Sequence, residues 1–200
     1  MIIKDIQKME SPFVRKIINN RYVVTPEINP DYSWVFENPN VKCVEKLDGS
    51  NMAIVIEQGK ITRIFNRKTE IPFFNKDKVH LIMGILESFG RGYTNFTDGQ
   101  YFGELIGPKL QGNPYKLDKH VWIPFESYAK NHLAYKSWGK YPKDFETISN
   151  WFKNDLFSLY HRRLYGTIVK PEGVVFYHPD GRFAKLRVDM FLWYNGKKKH

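Results

Sequence analysis

The run EKLDGSN at residues 45–51 constrains this chain more than any other segment. Val41 and Val44 precede it, and Met52, Ile54, Val55 and Ile56 follow it, so apolar and β-branched residues flank an Asp-Gly pair on both sides. That pattern predicts strand, tight turn, strand. A fold that accepts it must hold two extended segments around this turn, with Lys46 at a strand end beside a glycine where the backbone comes close to a ligand. A lysine in that position serves as a covalent nucleophile when its surroundings favour the neutral amine. Taken alone, KLDG is equally well an exposed hairpin carrying an ordinary lysine.

The remaining pattern predicts further hairpins and two helices. Residues 41–66 read as a hairpin with a second turn at Gln58-Gly59-Lys60. Pro12, Pro26, Pro30 and Pro39 interrupt residues 1–40, which predicts short elements and loops there. Residues 76–89 place Val79, Ile82, Leu86 and Phe89 at helical spacing, with Gly90-Arg91-Gly92 as the stop. Residues 100–106 and 121–126 read as strands. Residues 142–164 carry the longest helical pattern, with Pro142 in the first turn and Phe145, Ile148, Phe152, Leu156 and Leu159 along one face. Residues 172–178 and 182–187 read as a hairpin around Pro179-Asp180-Gly181. Antiparallel hairpins with two helices indicate an α+β fold.

Composition narrows the function. Two hundred residues, 42% of them hydrophobic, suit one domain with a real core, assigned to 1–200. The single cysteine, Cys43, excludes an internal disulfide framework, fits a reducing compartment and reads as a core residue of the strand leading to Lys46. No apolar run approaches the roughly eighteen residues of a membrane span, and the N-terminus lacks a signal-peptide layout, so a cytoplasmic location without membrane is expected. Thirty-one Lys and Arg against 21 Asp and Glu give a net charge of +10. Removing the three lysines of the tail, Lys197–Lys199, leaves +7, which still suits a polyanionic partner. Trp122, Tyr128, Tyr135, Trp138 and Tyr141 are interleaved with these charges; aromatics so placed stack on bases or pack a loop, and packing is the favoured reading. The six histidines show no zinc-ligand spacing.

Further segments follow the KLDG run in order: Asn66-Arg67, YFGELIGPKLQGN at 101–113, Phe125 in VWIPFES, EGVV at 172–175 and AKLR at 184–187. This order resembles the covalent nucleotidyltransferase superfamily of polynucleotide ligases and capping enzymes. Within it, Asn51 and the GELIGPKLQGN run are similar to RNA ligases of the RNA ligase 2 type. The resemblance covers residues 45–187. It implies an antiparallel-sheet nucleotidyltransferase (adenylylation) domain with flanking helices. It also implies an ATP-dependent enzyme that joins 3′-OH and 5′-phosphate ends through a lysyl-AMP intermediate, using Mg²⁺ or Mn²⁺.

The resemblance assigns roles residue by residue. Lys46 accepts AMP. Lys185 and Arg187, alternating along one strand, face it and neutralise the α-phosphate. Glu45 contacts adenine, Phe125 stacks on it, and Glu104 reaches the ribose with Gly103 giving room. Arg67 lies near the ribose or donor phosphate, Glu172 organises the metal, and Asn51 acts at the sealing end. Taken singly, each of these reads as a surface charge or a core ring. Arg187 stands where the family commonly has a second lysine, and Asp48 where many RNA ligase 2 relatives carry histidine. The chain ends 13 residues after Arg187, so no C-terminal accessory domain is expected. RNA or an RNA-containing nicked duplex is the expected partner, with a separate protein or domain to help bind it. The competing readings are a DNA ligase, a capping-type enzyme and a non-catalytic nucleic-acid-binding module.

Overall fold

The computed structural model describes residues 3–90 and 96–196. Arg91 and Gly92 of the expected helix stop, and the tail Lys197–Lys199, lie outside them. The strands are β1 (Phe13–Ile18), β2 (Arg21–Ile28), β3 (Lys42–Lys46), β4 (Ser50–Glu57), β5 (Lys60–Asn66), β6 (Thr69–Glu70), β7 (Gly99–Ile106), β8 (Val121–Pro124), β9 (Gly173–Tyr177) and β10 (Phe183–Arg187). The helices are α1 (Trp34–Glu37), α2 (Val79–Gly90), α3 (Lys130–His132), α4 (Phe145–Asn150) and α5 (Leu159–Tyr165). Every strand pairing among the described residues is antiparallel, and the fold is α+β. The chain divides into two compact units: Met1–Gln7 with Leu47–His132, and Lys8–Lys46 with Leu133–His200.

The second of these units contains the β1–β2 hairpin and the sheet β10-β9-β3. Asn19 and Asn20 close the hairpin with φ of 50° and 58°, the two left-handed residues that match the twist of a two-residue turn. Residues 1–40 were expected to hold only short elements; the Asn-Asn pair between apolar runs is the signal for this hairpin. In the three-stranded sheet, Cys43, Val174, Phe176, Ala184 and Leu186 point to one face and join Phe152, Ile148 and Phe191 in a core. Cys43 is buried there, as expected, and burial pushes its thiol pKa well up.

The long helix expected over 142–164 is two helices. Asp144 caps α4 by accepting from the Thr147 N–H, so the helix starts after Lys143 rather than at Pro142. A π-helical turn, Trp151–Asp155, ends it, and Leu156 is extended. Ser158 then caps α5 by accepting from the His161 N–H. The apolar stripe survives the break: Ile148, Phe152 and Leu156 are buried, with Phe145 and Leu159 packed at the edge.

The other unit is built on the sheet β6-β5-β4-β7-β8. Gln58 and Gly59, with φ of 51° and 71°, form the expected β4–β5 turn. Met52, Ile54, Ile56, Ile64, Leu105 and Trp122 face Leu81, Ile82 and Ile85 of α2. The stripe expected on this helix is therefore rotated: Val79 is 51% exposed and Leu86 37%. Both 3.6-residue registers carry enough apolar residues, and the sheet selected the one with Leu81 and Ile85.

The Asp-Gly hairpin expected at Lys46–Ser50 is absent. β3 pairs with β9, while β4 pairs with β5 and β7. Neither Asp48 nor Gly49 has the positive φ that a two-residue turn of this kind needs. Gly49 is required for proximity instead: a Cβ there would meet the Leu105 carbonyl oxygen at 2.2 Å. The Asp48 N–H donates to the buried Tyr115 hydroxyl at 2.9 Å.

Candidate active site

The expected residues divide between the two units. Glu45, Lys46, Glu172, Lys185 and Arg187 belong to one, and Asn51, Arg67, Glu104 and Phe125 to the other.

In the first group, strand register decides what meets what. Lys46, Gly173 and Arg187 lie in one row across β3, β9 and β10, and Val44, Val175 and Lys185 lie in the next. Residues two apart along a strand share a face, so Lys46, Lys185 and Arg187 project from the same side. Gly173 lies between Lys46 and Arg187. A Cβ there would stand 2.1 Å from the Leu186 carbonyl oxygen and 2.6 Å from the Arg187 Cα, so only glycine lets β9 and β10 close here.

Lys46 Nζ donates to Glu172 Oε2 at 2.6 Å. Arg187 Nη1 lies 3.5 Å from Glu172 Oε1, and Arg187 Nη2 lies 3.0 Å from Asp189 Oδ2. The side chains in this cluster are 9–20% exposed, so water screens their charges only partly. Burial, then the Lys46 and Arg187 cations, lower the Lys185 pKa from the usual lysine value. Repulsion between the two ammoniums is mutual, and Glu172 opposes it at Lys46.

Two residues of this cluster were missed from sequence. Asp189 follows Arg187 by two positions, the spacing that returns a side chain to the same neighbourhood as a strand ends. Arg15, in β1, carries a guanidinium whose Nε is buried without a hydrogen-bond partner among the described residues. Burial lowers its pKa, as does the Arg187 charge to a smaller degree. No sequence motif marks it.

Glu45 is not brought to this face. It is next to Lys46 on β3 and points the other way, 3% exposed among the core residues. The Ser158 hydroxyl donates to its Oε1 at 2.5 Å and the Tyr160 N–H to its Oε2 at 2.9 Å. Burial pushes its pKa up to about 7, against the downward pull of those bonds.

In the second group, Asn51 and Glu104 are direct cross-strand neighbours on β4 and β7. Glu104 is 8% exposed, and the Asn51 Oδ1 is buried without a partner among the described residues. Gly103 gives room to Trp122, not to a ligand: a Cβ would meet the indole at 2.6 Å, and that indole N–H donates to the Met52 carbonyl at 3.1 Å. Phe125 does not continue β8. The strand ends at Pro124, and half-buried Phe125 opens the π-helical turn Phe125–Ala129. Arg67 forms the β5–β6 turn with φ of 55°, a left-handed conformation that costs a non-glycine residue of order 1–2 kcal/mol. It lines a cavity of about 560 Å³ with Asn66, Thr69 and Lys78.

The donor set suits a hard divalent ion that keeps most of its waters. Glu172 is one part-buried carboxylate, and Asp189 Oδ1, next in the cluster, is buried without a hydrogen-bond partner among the described residues. No group of three His, Cys, Asp or Glu side chains among the described residues forms a complete cage. Magnesium typically binds through one or two carboxylates plus substrate phosphates.

A family model described as RNA ligase matches residues 40–191. No curated protein matches the sequence. Among solved structures, one variant of Naegleria gruberi RNA ligase with ATP and Mn is similar at 18% identity, covering 92% of this chain and 56% of that one, with a TM-score of 0.58. A second variant with ATP and Mn is 18% identical, covers 90% and 59%, and has a TM-score of 0.54. A third, with AMP and Mn, is 20% identical, covers 74% and 49%, and has a TM-score of 0.52. At such identity the likeness is one of fold. The chain spans between 49% and 59% of the length of these proteins.

Proposed function

The chain belongs to the RNA ligase family, and on that premise we propose that it is an ATP-dependent RNA ligase whose Lys46 carries AMP from ATP to an RNA 5′-phosphate. The observation that carries this reading is the Lys46–Glu172 pair at 2.6 Å, flanked on one sheet face by Lys185 and Arg187.

A lysine amine has an ordinary pKa near ~10.4 and must lose its proton to attack. In the first step, the Lys46 ammonium gives up a proton to water, its freed electron pair forms a P–N bond to the α-phosphorus, and the nitrogen then sheds a second proton to water. The bond from that phosphorus to the bridging oxygen breaks, and pyrophosphate leaves. Lys185 and Arg187 neutralise charge on the α-phosphate, which is where such reactions are mainly catalysed. Glu172 and Asp189 would hold a divalent ion, which when bound would supply positive charge to the phosphates. In the second step an RNA 5′-phosphate oxygen takes the AMP and restores the Lys46 amine. In the third, a 3′-OH attacks that 5′-phosphorus and AMP leaves.

Arg67, Glu104 and Phe125 are assigned to the donor nucleotide, and Asn51 to the RNA end, from their positions in the motifs. Glu45 is assigned to holding β3 and α5, because both carboxylate oxygens are engaged in the core. The polyanion reading of the +10 charge serves the RNA backbone. No helix among the described residues is long and apolar enough to cross a membrane.

The test is incubation with labelled ATP or GTP and magnesium. Covalent label from ATP that survives denaturation and alkali but is released by acid, as a P–N bond requires, is expected on the native chain and absent in Lys46→Ala. Label from GTP alone would make this a capping-type enzyme. The AMP-loaded chain is then given nicks with RNA or DNA on the 3′-OH side; sealing is expected to favour RNA, where the 2′-OH is read. Equal sealing of an all-DNA nick would make it a DNA ligase.

A further inference from the structure

A second cavity, of about 640 Å³, lies wholly within the unit that carries Lys46 and is lined by residues between Ser137 and Phe157. This volume falls within the roughly 300–1,000 Å³ of ligand clefts. Its walls include four aromatic rings, those of Trp138, Tyr141, Trp151 and Phe157. Trp138 and Trp151 stand 6.3 Å apart between ring centroids, and Tyr141 is 69% exposed beside them. Trp138 packs on core Phe176 at 4.8 Å, so one ring of the cavity is anchored while Tyr141 is open to solvent.

Three polar features select an occupant. The Trp138 indole N–H is buried with no hydrogen-bond partner among the described residues, and a buried donor left unpaired costs about 1–3 kcal/mol. Asn150 and Asp155 on the wall offer both kinds of hydrogen-bonding group to a heterocycle edge. Lys143 Nζ donates to the Phe36 carbonyl at 3.0 Å and stands 5.3 Å from the centre of the Trp138 ring, so a cationic ligand would meet a cation there. Exposed Lys136 and Lys140 alternate with the lining residues along the chain, and Lys153 is exposed two positions after Trp151. An aromatic cavity bordered by lysines matches a flat heterocycle attached to an anionic backbone.

We infer that this cavity captures an unpaired base of an RNA strand, with Tyr141 and the two indoles as the stacking surface and the bordering lysines on the flanking phosphates. The polymer's identity rests on the RNA ligase reading; the cavity's chemistry does not. None of its lining residues belongs to the Lys46 cluster, so strand capture and AMP transfer are separable by mutation.

The experiment measures binding of a short unstructured oligoribonucleotide, and of the same strand fully paired in a blunt duplex, without ATP. Self-labelling by ATP is followed in parallel. Tyr141 is exposed, so Tyr141→Ala leaves the fold intact. It is expected to weaken single-strand binding roughly tenfold, the usual loss of one stacked base, with duplex binding and ATP labelling unchanged. Tyr141→Trp is expected to bind the single strand like the native chain. A chain that takes label from ATP but whose Tyr141→Ala variant binds the single strand normally would overturn the cavity's role and leave the ligase reading standing. Equal loss on the duplex would likewise overturn base capture. A chain that takes no label but loses single-strand binding in Tyr141→Ala would overturn the ligase reading and support the cavity.

Discussion

Glu45 and Lys46 are consecutive, yet the two faces of one three-stranded sheet give them opposite surroundings. Behind the sheet, Glu45 is a lone carboxylate in an apolar core, met by two donors that exist only because α5 begins there. In front, Lys46 pairs with Glu172, which also faces Arg187, which in turn pairs with Asp189, and Lys185 stands on the same face. A buried charge with fixed partners is structural: moving it leaves donors unsatisfied. A cluster with more than one pairing arrangement can admit a phosphate, because each lost contact has a substitute. The lesson is that a titratable group's neighbours, not its type, separate scaffold from chemistry.

The contrast breaks most completely if the rows of the sheet are forced apart. Gly173→Ala puts a methyl 2.1 Å from the Leu186 carbonyl oxygen. A loss of roughly 3 kcal/mol or more is expected in urea unfolding, the upper range for overpacking and backbone conflict. Native stability in that variant would mean that the front-face row is not held by close approach at Gly173.

The back face is tested by pH. Burial raises the Glu45 pKa from 4.5 to about 7 in the folded chain. Between these values the folded chain holds a proton that the unfolded chain has released. This group's contribution is therefore full below pH 4.5 and is lost as pH rises through about 7, an amount on the order of 3 kcal/mol. Glu45→Gln keeps an acceptor oxygen and cannot titrate, so its stability relative to the native chain should climb over that window. Parallel stability curves would show that the Glu45 carboxylate does not change charge there. ATP labelling of this variant at pH 8 should continue, since Glu45 does not face Lys46.

The front face is sharpened by Glu172→Ala. It removes a partner of Lys46 and a carboxylate paired with Arg187, at side-chain exposures of 10–20%. AMP transfer at limiting magnesium is expected to fall about a hundredfold, ~2.7 kcal/mol in the barrier, while urea unfolding shifts little. Full transfer in Glu172→Ala would remove its metal role, and an unfolded variant would make it part of the scaffold.

Much of this was legible in the residues. Alternation along AKLR places Lys185 and Arg187 on one face, and EG before VV marks the strand that separates them from Lys46. Gln58-Gly59 and Pro179-Asp180-Gly181 announce their turns because local φ preferences suffice for two to four residues. The family followed from ordered motifs, and the match over residues 40–191 bears it out. The site's register did not follow from any motif. KLDG reads as a hairpin by local rules, but β3 finds a better partner in β9, 126 residues on from Lys46 to Glu172. The helix over 142–164 breaks because a buried carboxylate on β3 needs the donors that a helix start leaves free, and no periodicity within the helix records that need. Period and turn chemistry are properties of neighbours in sequence, so the chain by itself determined most of the strands, the alternation along them and the order of the motifs. Which strands pair, which face is dry and where a charge finds its partner are energies between distant segments, and only the tertiary structure decided them.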